Sequence, residues 1–267
     1  MAIKGAILGD IAGSQYEFTG MRPKDLDWKN CELFTDKCEF TDDTVLTIAT
    51  KKAILENKEN PDFSLWYQKM GLTYPKAGYG EMFIQYLQDA DRKPYNSFGN
   101  GSAMRVSPVV DLYDDHKQII QVAKLSAVCT HNHPEGTKGA IVTAACAKIA
   151  QETKSKQSIY DFAQKFYGDS NKYKYPVTMS LDEMRKIYRW DVTCQGSVPA
   201  AIRCVLEADS YEEFLRNVFS LPCDMDTLGA IGGGIAEELF GLKDIEYGAI
   251  FKEYLTDFLL EEVIWKE

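Results

Sequence analysis

Two short acidic clusters, far apart in the chain, repeat one pattern: Thr41-Asp42-Asp43-Thr44 and Asp224-Met225-Asp226-Thr227. Each runs straight into apolar residues at helical spacing. Val45, Ile48, Ala49 and Ala53 follow the first, and Leu228, Ile231, Ile235 and Leu239 follow the second. Both clusters therefore predict helix N-termini. Taken singly, each has an ordinary explanation, because Asp and Thr cap helices and acids favour the positive end of the helix dipole. Capping accounts for one acid per helix. It does not account for consecutive acids in one cluster, an acid-x-acid in the other and a threonine behind both. Converging carboxylates raise one another's pKa unless a cation neutralises them. The pair thus predicts a fold in which two helix starts meet around metal, with room for a binuclear centre. Oxygen donors alone favour Mg²⁺, Mn²⁺ or Ca²⁺ over zinc or copper. The EF-hand spacing is absent, and His131-Asn132-His133 as an isolated pair is a weak zinc signal.

The rest of the chain reads as helix. Ser158-x-x-Asp161, Ser180-x-x-Glu183 and Ser210-x-x-Glu213 resemble capping boxes. Pro134 and Pro199 fall where helices would start, a position at which a missing N–H costs nothing. Residues 62–70 and 117–128 carry amphipathic patterns, and 138–149 is apolar throughout, as a buried central helix would be. A short extended piece is expected within 31–40. Gly5, Gly9 and Gly13 recur at a spacing of four, and Gly229, Gly232, Gly233 and Gly234 crowd the second cluster. Mid-helix glycine costs about 1 kcal/mol relative to alanine. Repeated use therefore implies close approach, either of helix to helix or of backbone to ligand. The expectation is an all-α fold, an orthogonal helical bundle forming one domain over residues 1–267, with no linker or low-complexity block to divide it.

Composition narrows the partners. The formal net charge is −10, and no Lys/Arg run forms a nucleic-acid footprint. The seven cysteines make an odd number without a CxxC, which fits a reducing, cytoplasmic compartment better than a disulfide framework. The apolar run at residues 1–14 is interrupted by Asp10 and is too short to span a membrane. No membrane association is expected, and the chain is read as a monomer with weak self-association left open.

Six ordered motifs resemble the ADP-ribosylglycohydrolases, a family that includes dinitrogenase-reductase-activating glycohydrolase and the ADP-ribosyl-acceptor hydrolases. They are Gly5-Ala-Ile-Leu-Gly-Asp-Ile-Ala-Gly13 with Glu17, Phe40-Thr-Asp-Asp-Thr44, Ala77-Gly-Tyr-Gly80, Gly99-Asn-Gly-Ser-Ala-Met-Arg105, His131-Asn-His-Pro134, and Asp224-Met-Asp-Thr-Leu-Gly-Ala-Ile-Gly-Gly233. The resemblance implies an all-α fold with a central cleft and two Mg²⁺, for which Mn²⁺ can substitute. It implies Mg-dependent hydrolysis of the N- or O-glycosidic bond between ADP-ribose and an acceptor, so the expected partners are ADP-ribose conjugates of protein or small molecules. Carried over by position, Thr41, Asp42, Asp43, Asp224, Asp226 and Thr227 would be metal ligands. Gly78, Tyr79 and Gly80 would line the distal ribose, and Asn100, Gly101 and Ser102 would hold the diphosphate. His133 would lie near the ligand, and Glu17 would belong to an entrance loop. Pro222-Cys223 stands where the family often has Gly-Gly, and the segment 169–191 matches no family motif.

The residues themselves agree with these roles. Gly-Asn-Gly-Ser offers backbone N–H groups and a hydroxyl without bulk, as a phosphate cradle does. Asp42, Asp43, Asp226 and Glu17 are the candidate catalytic carboxylates, with Asp42 preferred to Glu17 as base on the attacking water. His131 reads as structural, and Arg105 as a structural partner of some carboxylate. Three alternatives remain: a catalytically silent ADP-ribose-binding module, a Mg-dependent nucleotide phosphohydrolase and a Ca²⁺-stabilised structural protein.

Overall fold

The computed structural model describes residues 1–17 and 26–264. Among the described residues every named element is a helix: α1 (Ala2–Ser14), α2 (Asp42–Glu56), α3 (Phe63–Thr73), α4 (Glu81–Gln88), α5 (Gly101–Met104), α6 (Pro108–Leu112), α7 (His116–Val128), α8 (Pro134–Thr153), α9 (Lys156–Tyr167), α10 (Leu181–Ile187), α11 (Cys194–Leu206), α12 (Tyr211–Phe219), α13 (Met225–Phe240), α14 (Tyr247–Tyr254) and α15 (Asp257–Val263). One contiguous set of buried apolar side chains runs through them, from Ala2 to Val263. The all-α expectation holds. None of these helices is long and apolar enough to cross a membrane.

The centre of the molecule is the pair α1 and α13. Both are buried on nearly every face, and α13 also packs on α8, α11 and α12. The glycines explain how two such helices fit together. A Cβ on Gly9 would stand 2.0 Å from the carbonyl oxygen of Gly229, and one on Gly5 would stand 2.2 Å from that of Gly233. Any side chain there would force the backbones apart, so this stripe serves helix-to-helix approach. The open choice between helix and ligand is thereby settled for the first set. Two long-range bonds support the seam: Gly5 N–H donates to Glu237 Oε2 at 2.6 Å, and the Tyr211 hydroxyl donates to the Gly5 carbonyl at 2.5 Å.

Local signals fared unevenly. Ser180 and Glu183 form the reciprocal capping box at the start of α10. Ser210 caps α12, but Glu213 reaches back to the Asp209 N–H. Ser158 is not a cap: Ser155 caps α9, and Ser158 donates its N–H to that hydroxyl. Pro134 opens α8 as expected. Pro199, by contrast, lies inside α11, whose cap is Thr193. There it removes a backbone donor from the ladder, and the fully buried side chains around it hold the helix together. Residues 31–40 form bends and turns rather than an extended piece, and the described residues contain one isolated bridge, Gly99 to Thr193.

Candidate active site

The α1–α13 seam sets two carboxylates side by side. Asp10 follows Gly9 on α1, and a Cβ on Gly13 would stand 2.3 Å from the Asp226 nitrogen. Helix α2 starts at the same place. One carboxylate oxygen each from Asp10, Asp43 and Asp226 lies within 4.8 Å of the others, and all three residues are buried.

Asp10 organises the start of α2. Its Oδ1 accepts from the Thr41 hydroxyl at 2.6 Å. Its Oδ2 accepts from the N–H groups of Thr41 and Thr44, each at 3.0 Å, and from the Thr44 hydroxyl at 2.5 Å. The acceptor capacity of that carboxylate is essentially used. Thr41 also caps α2 by accepting from the Asp43 N–H at 3.2 Å. The capping reading is therefore correct for Thr41, while the acids themselves are left over. Asp43 Oδ1 and Asp226 Oδ1 are buried without a hydrogen-bond partner. The Thr227 hydroxyl donates weakly to Asp43 Oδ2 at 3.4 Å, and Asn100 Nδ2 donates to Asp224 Oδ2 at 2.9 Å.

Electrostatics follow from this crowding. Burial, then neighbouring carboxylates, push Asp42, Asp43 and Asp226 well above the usual carboxylate range. Burial also raises Asp10 and Asp224, opposed by hydrogen bonds from Thr41 and Thr44 to the first and from Asn100 to the second. Glu17 is pushed up to about 7 by burial and by Asp224 and Asp10. Buried anions with unpartnered oxygens are costly unless a cation joins them. The donor set, all oxygen and including two orphaned carboxylate atoms, fits a hard divalent cation.

Above the carboxylates lies a cavity of about 540 Å³, within the size range of small-ligand sites. Of the residues singled out from sequence, Glu17, Asp42, Gly78, Gly80, Asn100, Gly101, Asp224, Asp226 and Thr227 line it. Gly78 has φ +95°, a conformation that favours glycine, and the Asp42 N–H donates to the Ala77 carbonyl at 2.6 Å, which ties that loop to α2. Thr41 and Asp43 sit buried at the start of α2, outside the cavity lining.

Three other expected ligand contacts, Ser102, Tyr79 and His133, are not among the residues that line this cavity. Ser102 is fully buried, and its hydroxyl donates to the Gly136 carbonyl at 2.7 Å, so it is not free for a phosphate. The Tyr79 ring stacks on Phe83 at 5.3 Å within the core. His133 caps α8, accepting the Glu135 N–H at Nδ1. In its place His131, read from sequence as structural, lines the cavity. Arg105 has no carboxylate partner among the described residues. It stacks 3.9 Å above the Tyr67 ring and donates to Thr130 Oγ1 at 2.6 Å.

The unmatched segment 169–191 reaches the cavity through Trp190, just ahead of the stretch that pairs with the glycine turn. The Asn100 N–H donates to the Val192 carbonyl at 2.8 Å and the Cys194 N–H to the Phe98 carbonyl at 2.9 Å, which sets the glycine turn beside the chain leading into α11. Trp190 and Phe98, both about half exposed, line the cavity. Sequence reasoning missed Asp10, although its place in the glycine stripe, one residue after Gly9, was the available signal.

Residues 1–250 match the family described as ADP-ribosylglycohydrolase. The chain is 23% identical to ADP-ribosylhydrolase ARH3 of Mus musculus, over 91% of this chain and 84% of that protein. It is 24% identical to ADP-ribosylhydrolase ARH3 of Homo sapiens, over 91% and 85%. A solved structure titled "ADP-ribosylglycohydrolase-related protein complex" superposes with a TM-score of 0.74 at 21% identity, covering 98% of this chain and 95% of that one.

Proposed function

The chain belongs to the ADP-ribosylglycohydrolase family, and on that premise we propose that it hydrolyses the glycosidic bond between the distal ribose of ADP-ribose and an acceptor, releasing ADP-ribose. The observation that carries this reading is the meeting of Asp10, Asp43 and Asp226 beneath a ligand-sized cavity, with two carboxylate oxygens left unpartnered.

The proposed cofactors are two Mg²⁺, with Mn²⁺ as substitute. Asp42, Asp43, Asp224, Asp226 and Thr227 would hold them. Thr41 would join these ligands, since its hydroxyl gives its proton to Asp10 and would meet a cation through an oxygen lone pair. Bound there, the cations would orient the ribose hydroxyls and lower the pKa of a water molecule. Asp10 keeps the α2 start in register, and Asn100 keeps Asp224 pointed at the cluster.

Glu17 stands outside both acidic clusters. Its two carboxylate oxygens lie 3.7 and 3.8 Å from where a Cβ on Gly78 would be, beside Asp42 Oδ1 at 3.7 Å. We assign the attacking water's proton to Glu17 rather than to Asp42, which leaves Asp42 for the cations. The Gly99 and Asn100 N–H groups are already given to Ser97 Oγ and the Val192 carbonyl, so the bare Gly101 backbone and the open Gly78 loop are the parts of the lining that suit phosphate and ribose oxygens, which need close backbone approach. Unpaired buried thiols suit a cytoplasmic protein, and we propose that location.

The test is a product assay with metal-loaded protein on arginine-, serine- and O-acetyl-linked ADP-ribose. Free ADP-ribose from at least one conjugate supports the reading. Inorganic phosphate from a nucleotide instead would assign a phosphohydrolase. Binding of ADP-ribose without turnover on any conjugate would leave a silent reader.

A further inference from the structure

His131 lies at the end of a hydrogen-bond chain that starts from a buried cation. Arg105 is 1% exposed, and its Nη2 donates to Thr130 Oγ1 at 2.6 Å. Thr130 is fully buried, and its Oγ1 lies 2.8 Å from His131 Nδ1. A guanidinium can only donate, so the threonine oxygen is the acceptor in the first bond. Its single proton then has three destinations: His131 Nδ1 at 2.8 Å, the Ala127 carbonyl at 3.5 Å, or the neighbouring Cys129 sulfur. The carbonyl is at the outer limit of a hydrogen bond and a thiol sulfur is a weak acceptor, so the proton goes to Nδ1. A ring nitrogen that accepts carries no hydrogen, and the hydrogen of the neutral imidazole must sit on Nε2.

Nε2 faces the cavity at the glycine turn. It lies 3.2 Å from where a Cβ on Gly101 would be and 3.6 Å from one on Gly99. The ring cannot easily turn away. The His131 N–H is bonded to the Ala127 carbonyl at 2.7 Å, its carbonyl accepts from the Thr137 hydroxyl at 3.1 Å, and Tyr95 packs on it with ring centroids 6.0 Å apart.

We propose that Arg105 and Thr130 are positioning residues that lock His131 in its neutral Nε2–H tautomer, so that the cavity presents a fixed uncharged donor to an oxygen of the bound ligand. Burial and the nearby guanidinium both hold the ring's pKa well below its ordinary value, which agrees with a neutral imidazole. A side chain at Gly101 would crowd Nε2, whereas one at Gly99 would only touch it. The ligand role rests on the hydrolase reading above; the tautomer does not.

The experiment uses the free, full-length protein labelled with ¹⁵N-histidine. The chain has three histidines, and His131→Gln assigns the relevant signals. At neutral pH the expected spectrum shows His131 with a protonated Nε2 and a bare Nδ1. Thr130→Val should give a mixture of tautomers, and Thr130→Ser should restore the single one. With an ADP-ribosyl substrate, Thr130→Val should raise KM about tenfold with kcat little changed, the size expected for one misdirected neutral hydrogen bond. An Nδ1–H tautomer, an imidazolium, or a Thr130→Val spectrum identical to wild type would overturn the proposal. A correct spectrum in a protein that turns over no ADP-ribosyl conjugate would sink the hydrolase reading and leave the lock standing.

Discussion

The side-chain amide of Asn100 donates to Asp224 Oδ2 at 2.9 Å and to Ser197 Oγ at 3.1 Å, which ties the glycine turn to the second acidic cluster through one residue. Asn100→Ala should therefore reduce turnover about 10- to 100-fold, the usual effect of removing a group that orients a metal ligand. Circular dichroism should show the fold retained. Asn100→Asp should do worse, because it adds a carboxylate to carboxylates. Near wild-type turnover in Asn100→Ala would show that Asp224 needs no such support.

Asp226→Asn should separate stability from activity. In cation-free protein Asp226 is a buried carboxylate raised well above its usual range by burial and by Asp224 and Asp43. Neutralising it should raise the melting temperature of the chelated protein. The same change should abolish turnover and most of the melting shift caused by Mg²⁺, which is about 2.7 kcal/mol at a hundredfold excess over Kd for an intact site. A variant less stable than wild type in chelator would contradict the crowding argument.

The pH dependence of the chelated protein has a definite sign. Glu17 rises from 4.5 to about 7 on folding, and the cluster aspartates also rise. A group with a raised folded pKa stabilises fully below its unfolded value, and that contribution is lost as pH climbs through the folded one. Melting temperature in chelator should thus fall between about pH 5 and pH 8. Saturating Mg²⁺ should flatten the slope without removing it, because Asp111, raised by burial to about 6, and Glu237, raised by burial to about 7, lie at the other end of α1, where they accept from Ala2, Ile3 and Gly5. A melting temperature in chelator that climbs over this range would refute the assignment.

Gly9→Ala should be among the most damaging substitutions of a small residue in this chain. Its methyl would lie 2.0 Å from a backbone carbonyl that cannot turn aside. A loss above about 3 kcal/mol, or failure to accumulate as soluble protein, is the expected outcome for overpacking against backbone. Gly248 in α14 is the control, since nothing lies within 4 Å of its added Cβ. Gly248→Ala should be neutral or stabilising by a few tenths of a kcal/mol. Equal effects at the two positions, by denaturant unfolding, would dismiss the seam as a constraint.

What sequence could and could not reveal follows from the kinds of signal involved. The acid-threonine clusters were legible because helix starts have local grammar, and two such starts with surplus charge demand a shared explanation. The Ser180–Glu183 box was legible for the same reason. Asp10 was not, since a lone acid inside Ile, Leu and Ala reads as an interruption until α2 is seen donating to it. Tyr79, Ser102 and His133 lie in the expected motifs, but a motif does not state which way a side chain points. Ser102 turns to Gly136 and His131 takes the cavity position, because α8 begins at Pro134 and uses His133 as its cap. Ser158 and Pro199 misled because a cap or a proline favours a boundary without enforcing one.

The seam between α1 and α13 also has a consequence in time. Gly5 and Glu237, which bond across it, are 232 positions apart. At about 5–20 residues per second, the ribosome delivers the second partner roughly ten to fifty seconds after the first. Throughout that wait Ile3, Ile7, Leu8 and Ile11, all buried in the finished protein, lack the main partner of their helix, although α2 and α6 also pack on it. Helix α1 is thus completed only late, and no chain still lacking α13 can assemble the three-carboxylate cluster. Nascent chains are accordingly expected to depend on whatever shields the apolar α1, and catalytic competence should arrive all at once, when α13 closes on it.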